Sequence, residues 1–376
     1  MQSSFCSQAI KLLLTKVSRS VLVYMLAGGC GLIPATAGAQ AMNPSQTVPS
    51  QPTQLTQVTY QGRKAFRLSD GRSEAIIVPE IGRVMSYGFV GGPNLLWNAA
   101  PQSLDYGGWK NYGGDKTWPA PQSDWPVKVG RAWPPLAEWD GDPQGAETLV
   151  GGRLRTTSSV AKRLGARVVR EYSFGADGDL VVAQTVEKLR GAPMMLSIWS
   201  VAQLNAPQAV FLPLNAQSAY KDNFHWISKG NMPGVATPLS PTLLQVRPTL
   251  VAPFSSGYKI GVDAPVSAIA AMFNTTAFVI RSTRPEGAYP DGAEAAGFPV
   301  ELYDSGDSDQ ARHYVELEIL SPLRLFNAGI SWTHTTRWSL HPLPSADANS
   351  LAVQNLMQQF LNTPIPDEAS ASTQSR

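Results

Sequence analysis

Residues 167–188 have the sequence RVVREYSFGADGDLVVAQTVEK, and this stretch indicates the fold class. Two apolar runs with alternating polar residues, Val168–Phe174 and Leu180–Val186, flank the short polar segment ADGD. Alternation with a period of two is typical of β-strands, and Gly178 supplies the positive φ that a tight turn requires. The stretch therefore predicts a β-hairpin.

Similar short runs recur along the rest of the chain, separated by frequent Gly and Pro. The 32 glycines and 30 prolines interrupt the sequence too often for long helices. Further strands are predicted at 75–78, 84–89, 194–204, 267–273, 278–281, 313–320 and 333–340. Only Leu351–Leu361 has helical periodicity, with Ser350 as a candidate N-cap, and we expect this helix to pack on the β body. The pattern predicts an all-β domain, either a β-sandwich of two large sheets or a barrel.

The N-terminus has the features of a secretory signal peptide over residues 1–39. Lys11, Lys16 and Arg19 precede the apolar run 21–33, and the small residues before Gln40 predict cleavage after Ala39. An uncleaved membrane anchor and lipid attachment at Cys30 are the alternatives. The sequence thus predicts a periplasmic or secreted protein.

Four further ranges complete the predicted organisation. Residues 40–56 are rich in Gln, Pro, Ser and Thr and predict a flexible linker, residues 57–342 form the β domain, residues 343–364 form an extension with the helix, and residues 365–376 predict a disordered tail.

Composition excludes several classes of function. Both cysteines precede the predicted cleavage site, so the mature chain would have no disulfide, thiolate metal site or cysteine nucleophile. Without the three basic residues of the signal, 27 basic and 28 acidic residues remain of the 30 and 28 in the whole chain, which argues against nucleic acid as a partner. No P-loop, G-x-S-x-G or H-E-x-x-H motif is present, and we expect no cofactor and no bound metal. Asp304–Asp309 lacks the spacing of an EF-hand and predicts an acidic hairpin turn.

Six of the ten tryptophans fall between positions 97 and 139, in a segment that we expect to form long, ordered loops. Its centre, 108–122, is GWKNYGGDKTWPAPQ. Indole faces pack on the apolar face of a pyranose, polar side chains bind hydroxyls, and Gly113-Gly114 allows close approach of the backbone to a ligand. The candidate sugar-binding residues are Trp109, Asn111, Asp115, Lys116, Trp118 and Gln122. The alternative is that the tryptophans form a satellite core at one end of the fold.

The motif NYGGDKTWPAPQ (111–122) resembles the signature of an uncharacterised bacterial family with a galactose-mutarotase-like fold. YVELEILSP (314–322) and RWSL (337–340) are similar to the C-terminal strands of that family, so the resemblance spans about residues 57–342. It implies a β-supersandwich whose concave face binds carbohydrate, but it implies no particular reaction.

Mutarotase-type chemistry needs a general base and a general acid. On the strand 313–320, alternation turns His313 towards the core and Glu316 and Glu318 to the other face, where either carboxylate could act as base or pair with Arg337. Glu301 is a weaker candidate, and His225, in an aromatic loop, is the candidate acid. Active mutarotases carry a histidine near the glycine motif, whereas this chain has Asp115-Lys116, and a lysine is a useful acid only if its pKa is lowered. The sequence thus predicts an exported carbohydrate-binding protein that could act on sugars. A non-catalytic envelope or interaction protein on the same fold is the alternative.

Overall fold

The computed structural model describes residues 53–99, 105–106, 109–230, 235–248, 257–292, 297–307, 309 and 311–366. The predicted signal peptide, its cleavage site, Cys30 and most of the predicted linker and tail lie outside the described residues. In the described part of the chain, no helix is long and apolar enough to cross a membrane.

The described residues are mainly β-strands. The strands are β1 (Gln54–Tyr60), β2 (Arg63–Ser69), β3 (Ser73–Val78), β4 (Arg83–Phe89), β5 (Asp105–Tyr106), β6 (Trp109–Lys110), β7 (Asp115–Ala120), β8 (Gly145–Leu149), β9 (Arg153–Thr157), β10 (Ala166–Phe174), β11 (Leu180–Lys188), β12 (Met194–Leu204), β13 (Ala209–Pro213), β14 (His225–Ser228), β15 (Ala236–Ser240), β16 (Leu243–Val246), β17 (Tyr258–Val262), β18 (Ser267–Phe273), β19 (Thr276–Ser282), β20 (Val300–Asp304), β21 (Val315–Leu320), β22 (Arg324–Phe326) and β23 (Ser331–Pro342). The helices are α1 (Trp125–Lys128) and α2 (Leu351–Leu361), with 3₁₀ turns at Pro79–Ile81 and Gln122–Asp124.

Two large antiparallel sheets form the body of the domain. One has ten strands in the order β15-β16-β13-β18-β19-β23-β11-β10-β9-β8. The other has seven strands: six lie in the spatial order β14-β17-β20-β21-β12-β22, and the seventh, β7, pairs with β12. Their facing side chains share one core that includes Ile280 and Trp338 from the first sheet and Leu302, Leu317 and Ile319 from the second. The predicted all-β sandwich is confirmed, and the barrel alternative is wrong.

The predicted hairpin is formed by β10 and β11. Val168 pairs with Val186 and Phe174 pairs with Leu180, while Gly178 has φ +80° in the turn. Along β10 the residues at even positions from 166 to 172 are buried, as the alternating pattern predicts.

The predicted C-terminal helix is also confirmed. Val353, Met357 and Leu361 of α2 pack with residues of β13, β18 and β19 of the ten-stranded sheet, because burial of an apolar stripe stabilises a short helix. Ser350 occupies the N-cap position, but its side chain makes no capping hydrogen bond.

Two predictions from the sequence differ from the structure. The strand β1 begins at Gln54, inside the range 40–56 that the composition assigns to a linker. The centre of the tryptophan-rich segment is not a loop but the strand β7, whose six residues are all buried. Its backbone pairs with β12 over Ser197–Ala202, and this pairing provides the hydrogen-bond partners that a buried segment needs.

Candidate functional site

A cavity of about 570 Å³ lies on the face of the seven-stranded sheet that is turned away from the shared core. This volume lies within the range of about 300–1,000 Å³ that is usual for small-molecule sites. Six of the nine predicted site residues line it: Trp109, Lys116, Trp118, Gln122, Glu316 and Glu318.

Strand register explains why these side chains share one face. Val201 of β12 pairs with Lys116 on one side and with Glu318 on the other. Two positions earlier, Trp199 pairs with Trp118. Since directly paired residues in antiparallel strands point to the same side of a sheet, three strands direct their polar and aromatic side chains into one cavity.

Lys116 and Glu316 form an ion pair in the wall of the cavity. The Nζ atom of Lys116 lies 3.3 Å from Oε1 of Glu316, which also accepts a hydrogen bond of 2.8 Å from Nε2 of Gln203. The ammonium lies 4.6 Å from the ring centroid of Trp118 and 5.2 Å from that of Trp109. The position of Lys116 is therefore fixed by one carboxylate and two indole rings.

The Lys116 ammonium is fully buried, and this changes its acidity. Burial lowers the pKa of Lys116 from 10.5 to about 8, while the negative charge of Glu316 acts in the opposite direction. A lysine with this pKa can release a proton near neutral pH, so Lys116 meets the requirement of a lowered pKa for a general acid.

A second buried charge cluster adjoins the first. The Nζ atom of Lys259 lies 2.6 Å from Oε2 of Glu301 and 2.9 Å from Oε2 of Glu318. The indole Nε1 of Trp199 donates a hydrogen bond of 2.8 Å to the same oxygen of Glu318. Burial raises the pKa of Glu301 and of Glu318, against the effect of Lys259. The two carboxylates in turn raise the pKa of Lys259 despite its burial, so Lys259 remains charged.

Two buried polar atoms of the cavity wall have no hydrogen-bond partner among the described residues. They are Nε1 of Trp118, a donor, and Oε1 of Glu318, an acceptor. Buried polar groups are nearly always paired, and an unpaired one costs about 1–3 kcal/mol. A bound molecule that carries both acceptors and donors would satisfy this pair of atoms.

Asn111 and Asp115, which the sequence predicts to bind a sugar, do not line the cavity. Asp115 pairs with the buried Arg170 and accepts a hydrogen bond of 2.6 Å from the backbone N–H of Val84. Asn111 is fully buried, without a hydrogen bond to its side-chain amide among the described residues. In β7 Asp115 has the opposite parity to Lys116, so its side chain points between the sheets and has a structural role.

The double glycine also has a structural role. Gly113 and Gly114 have φ of +87° and +69°, and a Cβ on Gly113 would lie 2.1 Å from the carbonyl oxygen of Trp97. At Gly114 a Cβ would lie 2.4 Å from the carbonyl oxygen of Val84. The glycines are therefore required by close approach of the chain to itself, and neither of them lines the cavity.

His225 is the third predicted residue that the structure does not bring to the cavity. It begins β14 and pairs with Gly261, which puts it on the same side of the sheet as Glu301. The ring of Phe298 covers Gly261, however, and stacks on the His225 imidazole at 5.9 Å with an interplanar angle of 12°. A phenyl ring therefore occupies the space through which His225 would reach a ligand.

The tryptophans of the segment 97–139 divide between the two predicted roles, the wall of a binding cavity and a satellite core. Trp109, Trp118 and Trp133 line the cavity. Trp125 and Trp139 are buried in a separate apolar cluster with Trp109 and Trp118, and Nε1 of Trp125 donates to the carbonyl oxygen of Pro119 at 2.7 Å. A satellite core thus exists, and part of its surface is the wall of the cavity.

Several lining residues were not predicted from the sequence, notably Trp199, Lys259, Tyr303 and Tyr314. A signal for Lys259 was present, because it is the one charged residue in the otherwise apolar strand Tyr258–Val262. The suggested pairing of Glu316 or Glu318 with Arg337 is wrong, since Arg337 pairs with Asp177 and Asp179.

The acidic segment after β20 is a hairpin connection, as predicted. Asp304 hydrogen-bonds to Nε2 of the core-facing His313 at 2.7 Å, and Asp307 and Asp309 each lie 3.3 Å from Nε of Arg312. These carboxylates are therefore already paired. Among the described residues, no group of three or more His, Cys, Asp or Glu side chains is placed to hold a metal ion.

No protein-family model matches this chain, and no curated protein matches it significantly. Its fold is similar to solved structures at low sequence identity. One is a galactose mutarotase-like protein from Lactobacillus casei ATCC 334, with 11% identity, a TM-score of 0.49 and coverage of 76% of this chain and 100% of that chain. Another is a galactose mutarotase-like protein from Clostridium acetobutylicum, with 12% identity, a TM-score of 0.48 and coverage of 78% and 99%. A third is a galactose mutarotase related enzyme from Lactobacillus acidophilus, with 8% identity, a TM-score of 0.46 and coverage of 75% and 99%.

Proposed function

We propose that this protein is exported and binds an uncharged carbohydrate in the cavity beside β7 and β12. The observation that carries the binding proposal is the pair of unpartnered buried atoms, Trp118 Nε1 and Glu318 Oε1, in a cavity walled by indole rings. A hydroxyl group can donate to an acceptor such as Glu318 Oε1 or accept from a donor such as Trp118 Nε1. Sugars carry several hydroxyls on a ring with apolar C–H faces, which suits this wall.

The charges around the cavity favour a neutral ligand. Three cationic and three anionic side chains line it: Lys116, Lys259, Arg312, Asp307, Glu316 and Glu318. Because their charges balance, the cavity offers many hydrogen-bonding groups without a net field that would select a phosphate or a polycation. The motif 111–122 supports the same class of ligand through its resemblance to proteins of mutarotase-like fold, and the N-terminal composition supports export.

Anomer interconversion is a second candidate function, and the Lys116–Glu316 pair favours it. Glu316 would remove the proton of the anomeric hydroxyl while Lys116 gives a proton to the ring oxygen, so that the ring C–O bond breaks and an open-chain aldehyde forms. Reclosure on the other face reverses both proton transfers. The lowered pKa of Lys116 suits it to the role of acid. In the alternative, the fold serves as a non-catalytic envelope or interaction protein.

Binding is tested with a glycan array followed by isothermal titration calorimetry. Lys116 and Trp118 are buried, so truncating them to alanine would lower stability as well as binding. Glu318→Gln keeps the shape of the side chain and removes the charge, and we expect it to weaken sugar binding at least tenfold. Glu171→Gln, on the exposed ion pair with Arg153, is the matched control and should bind as the wild type does. Absence of binding to every glycan, with a folded protein, would favour the interaction-protein alternative.

Catalysis is tested by polarimetry on freshly dissolved α-D-galactose and α-D-glucose. Loss of general base catalysis costs about 10²–10⁴-fold, so Glu316→Gln should abolish any acceleration of interconversion over buffer while sugar binding persists. If Glu316→Gln and wild-type protein give equal rates above buffer, Glu316 is not the base. If wild-type protein gives no acceleration, the protein is a binding protein without this activity.

A further inference from the structure

The cavity has a closed floor and an open mouth. At the floor the side chains of Lys116 and Glu318 are fully buried, and Trp118 and Trp199 are each 3% exposed. At the mouth Trp133 is 42% exposed, and it also lines the cavity. A ligand held at the floor would therefore extend past Trp133 towards solvent.

The indole of Trp133 is held in place although nearly half of it is exposed. Its ring centroid lies 4.8 Å from that of Trp109 in an edge-to-face contact and 6.1 Å from that of Trp118. It also stacks on Trp125 at 6.2 Å with an interplanar angle of 17°. Three aromatic contacts fix an apolar face at the mouth, where burial by another molecule would be favourable.

Partly exposed polar side chains also line the cavity. Arg312 is 46% exposed and forms an ion pair with Asp307, and both line the cavity. The combination of an exposed, fixed indole face with charged hydrogen-bonding groups is what a second sugar ring would contact. The volume of about 570 Å³ lies well inside the range for drug-sized ligands, and a single hexose is smaller than such ligands.

We propose that the ligand is an oligosaccharide, with its terminal ring on the floor beside Glu316 and Glu318 and its next ring against the indole face of Trp133. This inference rests on the proposed carbohydrate binding and names its substrate class. Trp133 is thereby a specificity-determining residue that distinguishes glycan chains from free monosaccharides.

The test uses calorimetric titration of the full-length protein with three pairs of probes: galactose and β-1,4-galactobiose, glucose and cellobiose, and mannose and β-1,4-mannobiose. For the pair that binds, the disaccharide should bind at least about tenfold tighter than the monosaccharide, as a good aromatic contact contributes. Trp133→Ala should remove most of this difference, because it should weaken disaccharide binding far more than monosaccharide binding, and Trp133→Phe should restore part of it.

Trp332→Ala is the matched control, because Trp332 is a half-buried tryptophan of β23 outside this cavity, and it should retain the disaccharide preference. Equal affinity for both members of a pair, or equal weakening of both by Trp133→Ala, would overturn the oligosaccharide inference and leave sugar binding intact. A folded protein that binds none of the six probes and no glycan on an array would overturn the proposed function itself.

Discussion

The Nζ atom of Lys116 lies 3.3 Å from Oε1 of Glu316, and both residues come from strands that do not pair with each other. The strand β12 lies between them and supplies Gln203, which donates to the same carboxylate oxygen. A buried pair of this kind has a large desolvation cost, so it is weak evidence for stability and better evidence for a site. Its energetic and chemical consequences are open to measurement.

Removal of the Glu316 charge should destabilise the fold. Glu316→Gln leaves the buried Lys116 ammonium without its carboxylate, and breaking a buried ion pair costs about 3–5 kcal/mol. Urea unfolding at pH 7 measures this cost. The double variant Lys116→Met/Glu316→Gln should recover part of it, since no unpaired charge remains. Arg155→Met, which breaks an exposed pair with Glu171, should cost under about 1 kcal/mol. A smaller loss for Glu316→Gln than for Arg155→Met would contradict a buried, charged Lys116.

Stability should rise with pH above 8 because of the same lysine. The pKa of Lys116 is lowered by burial to about 8 in the folded state, against 10.5 when unfolded. Below pH 8 both states hold the proton and the slope is zero. Between pH 8 and 10.5 the unfolded state binds more protons, so the free energy of unfolding increases, by up to about 3 kcal/mol. Lys116→Met lacks the titrating group. The difference in free energy of unfolding between wild type and this variant, measured in urea at pH 7, 8, 9 and 10, therefore isolates the contribution of Lys116. A flat or falling difference would show that the folded-state pKa is not lowered.

His225→Ala should not affect sugar binding. The imidazole stacks on Phe298 and contacts Tyr220, and His225 does not line the cavity. We expect a stability loss of about 1 kcal/mol from the lost aromatic contacts and calorimetric affinities within twofold of wild type. Loss of binding without loss of stability would restore His225 as a residue of the site.

Gly113→Ala should be far more costly than Gly62→Ala. Both glycines have positive φ, +87° and +78°, so both variants incur about 1–2 kcal/mol of backbone strain. Only at Gly113 does the new Cβ meet other atoms, with the Trp97 carbonyl oxygen at 2.1 Å. The expected additional loss is at least about 2 kcal/mol, measured by urea unfolding. Equal losses at the two positions would mean that the loop before β7 can move away from Trp97.

The sequence predicted the regular parts of this fold because local pattern determines them. The alternation around Gly178 predicts the hairpin of β10 and β11, and the apolar stripe of Leu351–Leu361 predicts α2 with the observed bounds. Glu316 and Glu318 were placed on the cavity side by the same alternation, which required no knowledge of neighbouring strands.

The rest of the candidate site depends on sheet order, which the local pattern does not contain. Lys259 and Trp199 meet at Glu318 only because β17, β20, β21 and β12 are consecutive in one sheet. Asp115 was predicted to bind a sugar because it is a polar residue within the tryptophan-rich motif. Only the three-dimensional position of Arg170 shows that Asp115 is the buried partner in an ion pair. His225 stacks on Phe298, which is distant in sequence, and does not line the cavity.

The parity of β7 separates two sets of positions that can change independently. Lys116 and Trp118 face the cavity, whereas Asp115 and Thr117 contact Arg170 and Gln184 of the opposite sheet. Under the proposed function, exchanging residues at the first set would change which carbohydrate the cavity binds, while the second set keeps the strand in register. An insertion or deletion of one residue would do the reverse, since it would direct an aspartate to the ligand and a lysine between the sheets. Redesign of the specificity of this protein should therefore be confined to alternate positions of this strand.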